Sequence, residues 1–314
     1  MRIVLLESLG ISDGVIAKHA QKLENMGHSF TAYEKNTDPA VQVERCRNAD
    51  AVMLANMPLS EAVIDKAEHL KFIDVAFTGV DHIPMEAARK KGIAVSNASG
   101  YATQAVAELC VSFMIQLLRN VNKTEKRCRT GGTKDGLIGN LLCGKTVGIV
   151  GAGAIGKRTA ALCKAFGCTV LAYNRSKITD ASVVDRQVSL EELLSSADIV
   201  SLHCPLTAET KGMIGKEQLA QMKKTAFLIN TARGGVVDQD ALATALSDGQ
   251  IAGAALDVFD KEPPLPEDYP LLHAPNTIVT PHIGFASVES LEQRADIVFE
   301  NLYSWLEGRQ LNAV

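Results

Sequence analysis

"TVGIVGAGAIG" (residues 146–156) places Gly151, Gly153 and Gly156 directly after an apolar, strand-like run and at the start of a helical pattern. That order suits a loop holding a dinucleotide pyrophosphate. The first glycine permits a tight turn, the second admits close backbone approach and the third lets helix and strand pack together. The helix start, Ala154 and Ile155 included, offers free N–H groups to an anion. A lone GxGxxG is weak, because Gly-rich turns between strand and helix are common. Here the strand precedes, the helix follows and a second strand ends near the expected distance.

That second strand closes in "VLAYNRS" (170–176). About 20 residues past the glycines an Asp or Glu usually takes the ribose hydroxyls of NAD. The chain offers Asn174, Arg175 and Ser176 instead. A guanidinium pairs with phosphate in a bidentate manner, and a hydroxyl donates to it. The expectation is NADP as preferred cofactor with NAD possible; the alternative is that Arg175 is a solvated residue at a strand end.

Working outward, β-branched runs alternate with helical patterns on both sides of the glycines. Upstream strands are expected at 2–6, 29–33, 51–55, 71–76 and 93–97, with amphipathic stretches at 13–26, 60–68 and 84–91. Downstream strands are expected at 169–173, 197–203, 225–230, 251–258 and 276–280. Strands separated by helices imply parallel sheets. A long apolar-periodic segment, 102–121, precedes a Gly-rich loop at 129–136. The last pattern has Val288, Leu291, Ala295, Val298, Leu302 and Trp305 on one helix face.

The chain has 314 residues, enough for two domains, with 46% apolar and 22% charged residues and a net charge of −4. Such a charge gives no reason to expect nucleic acid or an anionic membrane surface. No apolar segment is long enough to span a bilayer, and "MRIVLLESLG" reads as a first strand rather than a signal peptide. Seven cysteines without metal-ligand spacing argue for reduced thiols in the cytoplasm and for no metal. Each reads as a small buried hydrophobe, with Cys204 beside Pro205 the one to watch.

One cation, one carboxylate and one histidine fall at the C-terminal ends of expected strands, in "LINTARGGVVDQDALATAL" (228–246), "ALDVFDKEPP" (255–264) and "TPHIG" (280–284). In open parallel sheets that edge is where ligands bind. Reducing a ketone develops negative charge on oxygen, so a positioned acid must neutralise it. Histidine beside a carboxylate suits that task, and a planar double donor suits an anionic 2-oxo acid. Taken singly, His282 after a Pro also fits a satisfied loop histidine, Glu262 a solvated turn residue and Arg233 a structural cap.

Together with "GVDHIP" (79–84), "AVAEL" (105–109) and "HCPLTAET" (203–210), these stretches closely resemble the D-isomer-specific 2-hydroxyacid dehydrogenase family over nearly the whole chain. The resemblance implies a Rossmann-like dinucleotide-binding domain (100–286) plus a smaller flavodoxin-like α/β substrate domain (1–99 and 287–314, discontinuous), with the active site in the cleft. It implies that Arg233 holds the substrate carboxylate, that His282 is the proton donor and that Glu262 keeps His282 protonated. Asp257 would orient the nicotinamide carboxamide. His203, Pro205, Thr210, Thr231, Ala232 and Gly284 would line the cofactor with the glycine loop and residues 174–176. Backbone amides of Gly79 and Val80 would meet the substrate carboxylate, and "ANMPLS" (55–60) would help close the pocket. Met57 and Phe77 fit either a substrate contact or the core, and Tyr101 lies near the hinge side.

The implied activity is reversible reduction of hydroxypyruvate, glyoxylate or pyruvate to the D-2-hydroxy acid, by a homodimer whose contact includes 102–121. The apolar face of that segment fits an intrachain role as well. The alternatives are a D-3-phosphoglycerate dehydrogenase-like enzyme, disfavoured by the short C-terminus "GRQLNAV", and a dinucleotide-sensing binding protein of the same fold. Formate or phosphite oxidation is a third; formate dehydrogenases of this fold typically have Gln where Glu262 stands.

Overall fold

The computed structural model describes residues 1–179, 182–261 and 264–314. The chain divides into two compact units, Met1–Ala102 with Ala286–Val314, and Thr103–Phe285. Each is built on a parallel sheet, as the alternating pattern implies.

The first unit holds β1 (Arg2–Leu5), β2 (Ser29–Ala32), β3 (Ala51–Leu54), β4 (Phe72–Val75) and β5 (Ala94–Asn97) in the order β2-β1-β3-β4-β5. This is the flavodoxin-like arrangement. Strands β3 and β4 are buried along their whole length, which is why they read as unbroken apolar runs rather than alternating ones. Their connections carry α1 (Asp13–Asn25), α2 (Pro39–Cys46), α3 (Glu61–Lys66) and α4 (Met85–Lys90). Helix α2 was not expected. It starts with Pro39 in the first turn, and the Asp38 side chain accepts the Ala40 N–H, a start signal in hindsight.

The second unit begins with α5 (Thr103–Leu118), which accounts for the long apolar-periodic segment at 102–121, and continues with α6 (Val121–Arg129), which was not expected. Asn120 stands between them in the left-handed region, φ 52°. The cause lies 20 residues downstream. The Asn140 N–H caps the Leu118 carbonyl at 2.8 Å, and a Cβ on Gly139 would lie 2.4 Å from the same oxygen. A chain crossing that closely ends the helix.

The sheet of this unit contains β6 (Thr146–Val150), β7 (Thr169–Tyr173), β8 (Arg186–Gln187), β9 (Ile199–Leu202), β10 (Phe227–Asn230), β11 (Gly253–Leu256) and β12 (Thr277–Val279). Its order is β12-β11-β10-β9-β6-β7-β8, the doubly wound pattern that reverses direction between β6 and β9. The connections contribute α7 (Ala154–Ala165), α8 (Leu190–Ser196), α9 (Lys216–Gln221), α10 (Gln239–Ser247) and α11 (Pro270–His273). The core is dominated by Leu193, Val200, Leu202, Leu228, Leu242, Ala254 and Leu256, all with no exposed surface.

The final helix, α12 (Val288–Leu306), returns to the first unit. Val288 is 69% exposed rather than part of the apolar face. The buried face adds polar residues that the spacing did not signal: Ser290, Arg294, Asn301 and Ser304. Asn301 donates to Asp74 Oδ1 and to the Asn97 carbonyl, both at 3.0 Å, and accepts from Asn312. Cys128 and Cys143 also depart from expectation, being exposed while the other five cysteines are buried.

Asp74 carries a testable cost. It is fully buried, and Oδ2 has no hydrogen-bond partner. Burial pushes its carboxyl well above the ordinary range, against the opposing pull of the Asn301 hydrogen bond. A raised carboxyl stays protonated in the native state while the unfolded chain releases its proton, so stability falls as pH rises above about 4. Asp74→Asn is therefore expected to raise the unfolding temperature by several degrees at pH 8 and by little near pH 4. Thermal unfolding across that range checks this; a difference that does not grow with pH would refute it.

Candidate active site

The glycine loop follows β6 at the point where the strand order reverses. Gly151 has φ +96°, and a Cβ there would lie 2.8 Å from the Cys204 nitrogen. At Gly156 a Cβ would lie 2.0 Å from the Gly151 oxygen. Gly153 differs: a Cβ there would meet nothing within 4 Å. The backbone is bare on that side, at the N-terminus of a 12-residue helix whose first N–H groups, at Ala154 and Ile155, have no intrahelical acceptor. This concave, donor-rich backbone fits a dinucleotide pyrophosphate.

Beyond β7, Asn174 braces the loop through its own side-chain amide. Its Oδ1 accepts the Ala152 N–H at 3.1 Å, and its Nδ2 donates to the Ser176 carbonyl and hydroxyl at 3.0 and 3.1 Å. The side chain ties the glycine loop to the turn that carries Arg175. Arg175 and Ser176 are exposed. The Glu209 carboxyl lies below its ordinary range, chiefly through the Thr207 hydroxyl and in part through Arg175.

The stretch 203–210 is shaped mainly by its own hydrogen bonds. The Thr210 hydroxyl donates to the Pro205 carbonyl at 2.6 Å and accepts the Thr207 N–H at 2.8 Å. His203 Nε2 and the Ser201 hydroxyl are 2.9 Å apart. Burial pulls the His203 imidazole down to about 4, so it is neutral at physiological pH. Cys204 is a buried thiol, raised by that burial.

Arg233, Asp257 and His282 follow the ends of β10, β11 and β12, three neighbouring strands. Asn230, fully buried at the end of β10, shapes the first of these loops. Its Oδ1 accepts the Ala232 N–H at 3.1 Å, and its Nδ2 donates to the Arg233 carbonyl at 3.0 Å. Arg233 Nη1 donates to the Ala232 carbonyl at 2.8 Å. Thr231 is buried, its hydroxyl 3.1 Å from the Cys110 sulfur of α5. A Cβ on Gly234 would lie 1.9 Å from the Phe259 carbonyl carbon, so the loops after β10 and β11 cross in direct backbone contact.

Asp257 builds the His282 loop. Its Oδ1 accepts from the Thr280 hydroxyl at 2.6 Å and the Ile283 N–H at 2.8 Å, and its Oδ2 accepts the Gly284 N–H at 2.7 Å. Burial raises its carboxyl, while these bonds and His282 oppose the rise. His282 itself sits at φ 57°, in the left-handed region that only a few per cent of residues other than Gly adopt. Its N–H donates to the carbonyls of Asp257 at 2.8 Å and Thr280 at 3.0 Å. Sequence reasoning assigned Asp257 to the cofactor and passed over Asn230. Their shared signal is a polar residue closing an apolar strand. Glu262 lies outside the described residues.

Gly79 and Val80 belong to the first unit, after β4, where Asn97 Nδ2 donates to the Thr78 carbonyl at 2.7 Å. The stretch 55–60 is anchored by buried Glu7, whose Oε1 accepts the N–H groups of Ala55 at 2.8 Å and Met57 at 2.7 Å. Met57 and Phe77 are both buried. Among the described residues no cluster of His, Cys, Asp and Glu could hold a metal, and no helix is long and apolar enough to cross a membrane.

The family model for the NAD-binding domain of D-isomer specific 2-hydroxyacid dehydrogenases matches residues 111–284. A glycerate dehydrogenase of Methylorubrum extorquens is 39% identical over 303 residues, 92% of this chain and 93% of its own. A glyoxylate reductase of Thermofilum pendens is 41% identical over 271 residues, 83% of this chain and 80% of its own. An acyclic imino acid reductase (Bsp5), solved in complex with NADPH and D-Arg, superimposes with a TM-score of 0.91 at 27% identity, each chain covered completely. The fold and the glycine loop define an oxidoreductase that uses a nicotinamide dinucleotide. The chain belongs to the D-isomer-specific 2-hydroxyacid dehydrogenases.

Proposed function

We propose that the protein reduces a small 2-oxo acid, such as hydroxypyruvate, glyoxylate or pyruvate, to the 2-hydroxy acid, of D configuration where the product is chiral, using NADPH in preference to NADH. The observation that carries this reading is the convergence of Arg233 and the Asp257-braced His282 loop on one edge of the sheet that also presents the glycine loop. A reduced nicotinamide, when bound, would supply the hydride for the carbonyl carbon. Arg233 takes the substrate carboxylate in its planar fork and polarises the 2-oxo group. His282 gives a proton to the carbonyl oxygen as charge develops there, and Glu262 favours the protonated imidazole.

Gly151, Gly153, Ala154, Ile155 and Gly156 would hold the pyrophosphate. His203, Pro205, Thr210, Thr231, Ala232 and Gly284 would line the rest of the dinucleotide. Three acceptor positions of Asp257 are taken by the His282 loop, which leaves about one for the nicotinamide carboxamide. Gly79 and Val80 are proposed to give N–H groups to the substrate carboxylate. A glycerate dehydrogenase and a glyoxylate reductase among its relatives favour substrates of this size, and seven free cysteines favour a cytoplasmic setting.

NADP is preferred because no acid closes β7 and Arg175 is exposed there. Arg175→Asp is expected to raise the KM for NADPH by at least about tenfold while that for NADH falls or holds, since it replaces a phosphate partner by a repelling charge. Initial rates with both cofactors check this; equal KM values for the two cofactors in both proteins would refute it.

A homodimer is part of the same proposal. Helix α5 buries its apolar face against α7, β10 and β11 of its own unit. In contrast, α6 has no buried residue, and Ile138 and Leu141 beyond it are 85% and 68% exposed. Such side chains gain from cover. Ile138→Asp combined with Leu141→Asp is expected to yield a monomer on size-exclusion chromatography; an unchanged elution volume would move the contact elsewhere.

A further inference from the structure

The turn carrying Arg175 is fixed by a residue outside the cofactor motif. Gln187, exposed on the two-residue edge strand β8, closes residues 174–178 from one side. Its Nε2 donates to the carbonyls of Asn174 at 3.2 Å and Ser176 at 3.0 Å, and its Oε1 accepts the Ile178 N–H at 2.9 Å. Asn174 closes the turn from the other side through Ala152 and Ser176. Between these two amides the backbone has little freedom. Arg175, Ser176 and Lys177 remain exposed. A guanidinium, a hydroxyl and an ammonium held on one fixed turn match a phosphate monoester dianion.

We propose that Gln187 is a positioning residue for the 2′-phosphate of NADP: it acts through the turn, holding Arg175 and Ser176 where that phosphate binds, and touches no reacting atom. The inference rests on the NADP reading above. Without Gln187 the turn must be ordered by the ligand itself, and that ordering weakens binding. NADH lacks the phosphate and does not call on the turn, so its binding escapes that cost. The effect is therefore selective for one cofactor, which a general loss of structure is not.

The test uses the full-length enzyme, wild type and Gln187→Ala. The expected result is a KM for NADPH raised about 5–20-fold, with the KM for NADH within about twofold and kcat unchanged for both. Adenosine 2′,5′-bisphosphate, as a competitive inhibitor, should weaken by the same factor in the variant, and adenosine 5′-monophosphate should not. If the variant loses NADPH and NADH equally, or neither, while Arg175→Asp still abolishes the NADPH preference, the role of Gln187 is overturned and the NADP reading stands. If the wild type shows no NADPH preference and Arg175→Asp changes nothing, both are overturned together.

Discussion

His282→Ala is expected to lower turnover of a 2-oxo acid by about 10²–10⁴-fold, the range for losing a positioned general acid. Cofactor affinity should persist, because the glycine loop lies at the end of a different strand. The backbone requires a control. His282 has φ 57°, where alanine is strained and asparagine is tolerated. His282→Asn should therefore keep the loop that Asp257 holds and still lose the chemical step. Agreement between the two variants would assign the loss to the imidazole rather than to a collapsed loop. Full turnover in His282→Asn would remove His282 from the mechanism.

Arg233→Ala should reduce kcat/KM for the 2-oxo acid by about 30–3,000-fold, the loss expected when one partner of a desolvated charge pair is removed. The KM for the cofactor should stay within about twofold. Asn230 shapes the loop through main-chain contacts alone, so the backbone should survive the substitution. Arg233→Lys is not expected to restore activity, since an ammonium cannot present two parallel donors to a carboxylate. Unchanged steady-state kinetics in Arg233→Ala would refute the carboxylate role.

The parallel strands were the most legible part of the chain. Buried on both faces, β3, β4, β9 and β11 write themselves as short apolar runs between turns. Strand β8 left no such trace, because Arg186 and Gln187 are polar residues on an exposed edge. Helix α6 left no trace for another reason: with no buried residue it carries no apolar face to read. Helix α12 misled at Val288, where the apolar spacing runs past the buried face into solvent.

The site was legible in residue types and less so in what each side chain touches. Arg233 and His282 stand at strand ends, as the motifs imply. Asn174 is the instructive case, because its place at the ribose position suggested a cofactor contact, and only the tertiary structure shows that its amide also braces Ala152 and Ser176. Asp257 likewise spends three hydrogen bonds on the His282 loop. Spacing locates a functional loop; only tertiary contacts reveal which residues hold it in shape.

The most direct measurement is the initial rate of hydroxypyruvate, glyoxylate and pyruvate reduction with NADPH, alongside the handedness of the 2-hydroxy acid formed. The expected result is turnover of at least one of the three, the D configuration in the product of hydroxypyruvate or pyruvate (glycolate, from glyoxylate, has no stereocentre), and loss of that turnover in His282→Asn. No turnover of any of them with NADPH or NADH, or a product of the L configuration, would contradict the assignment.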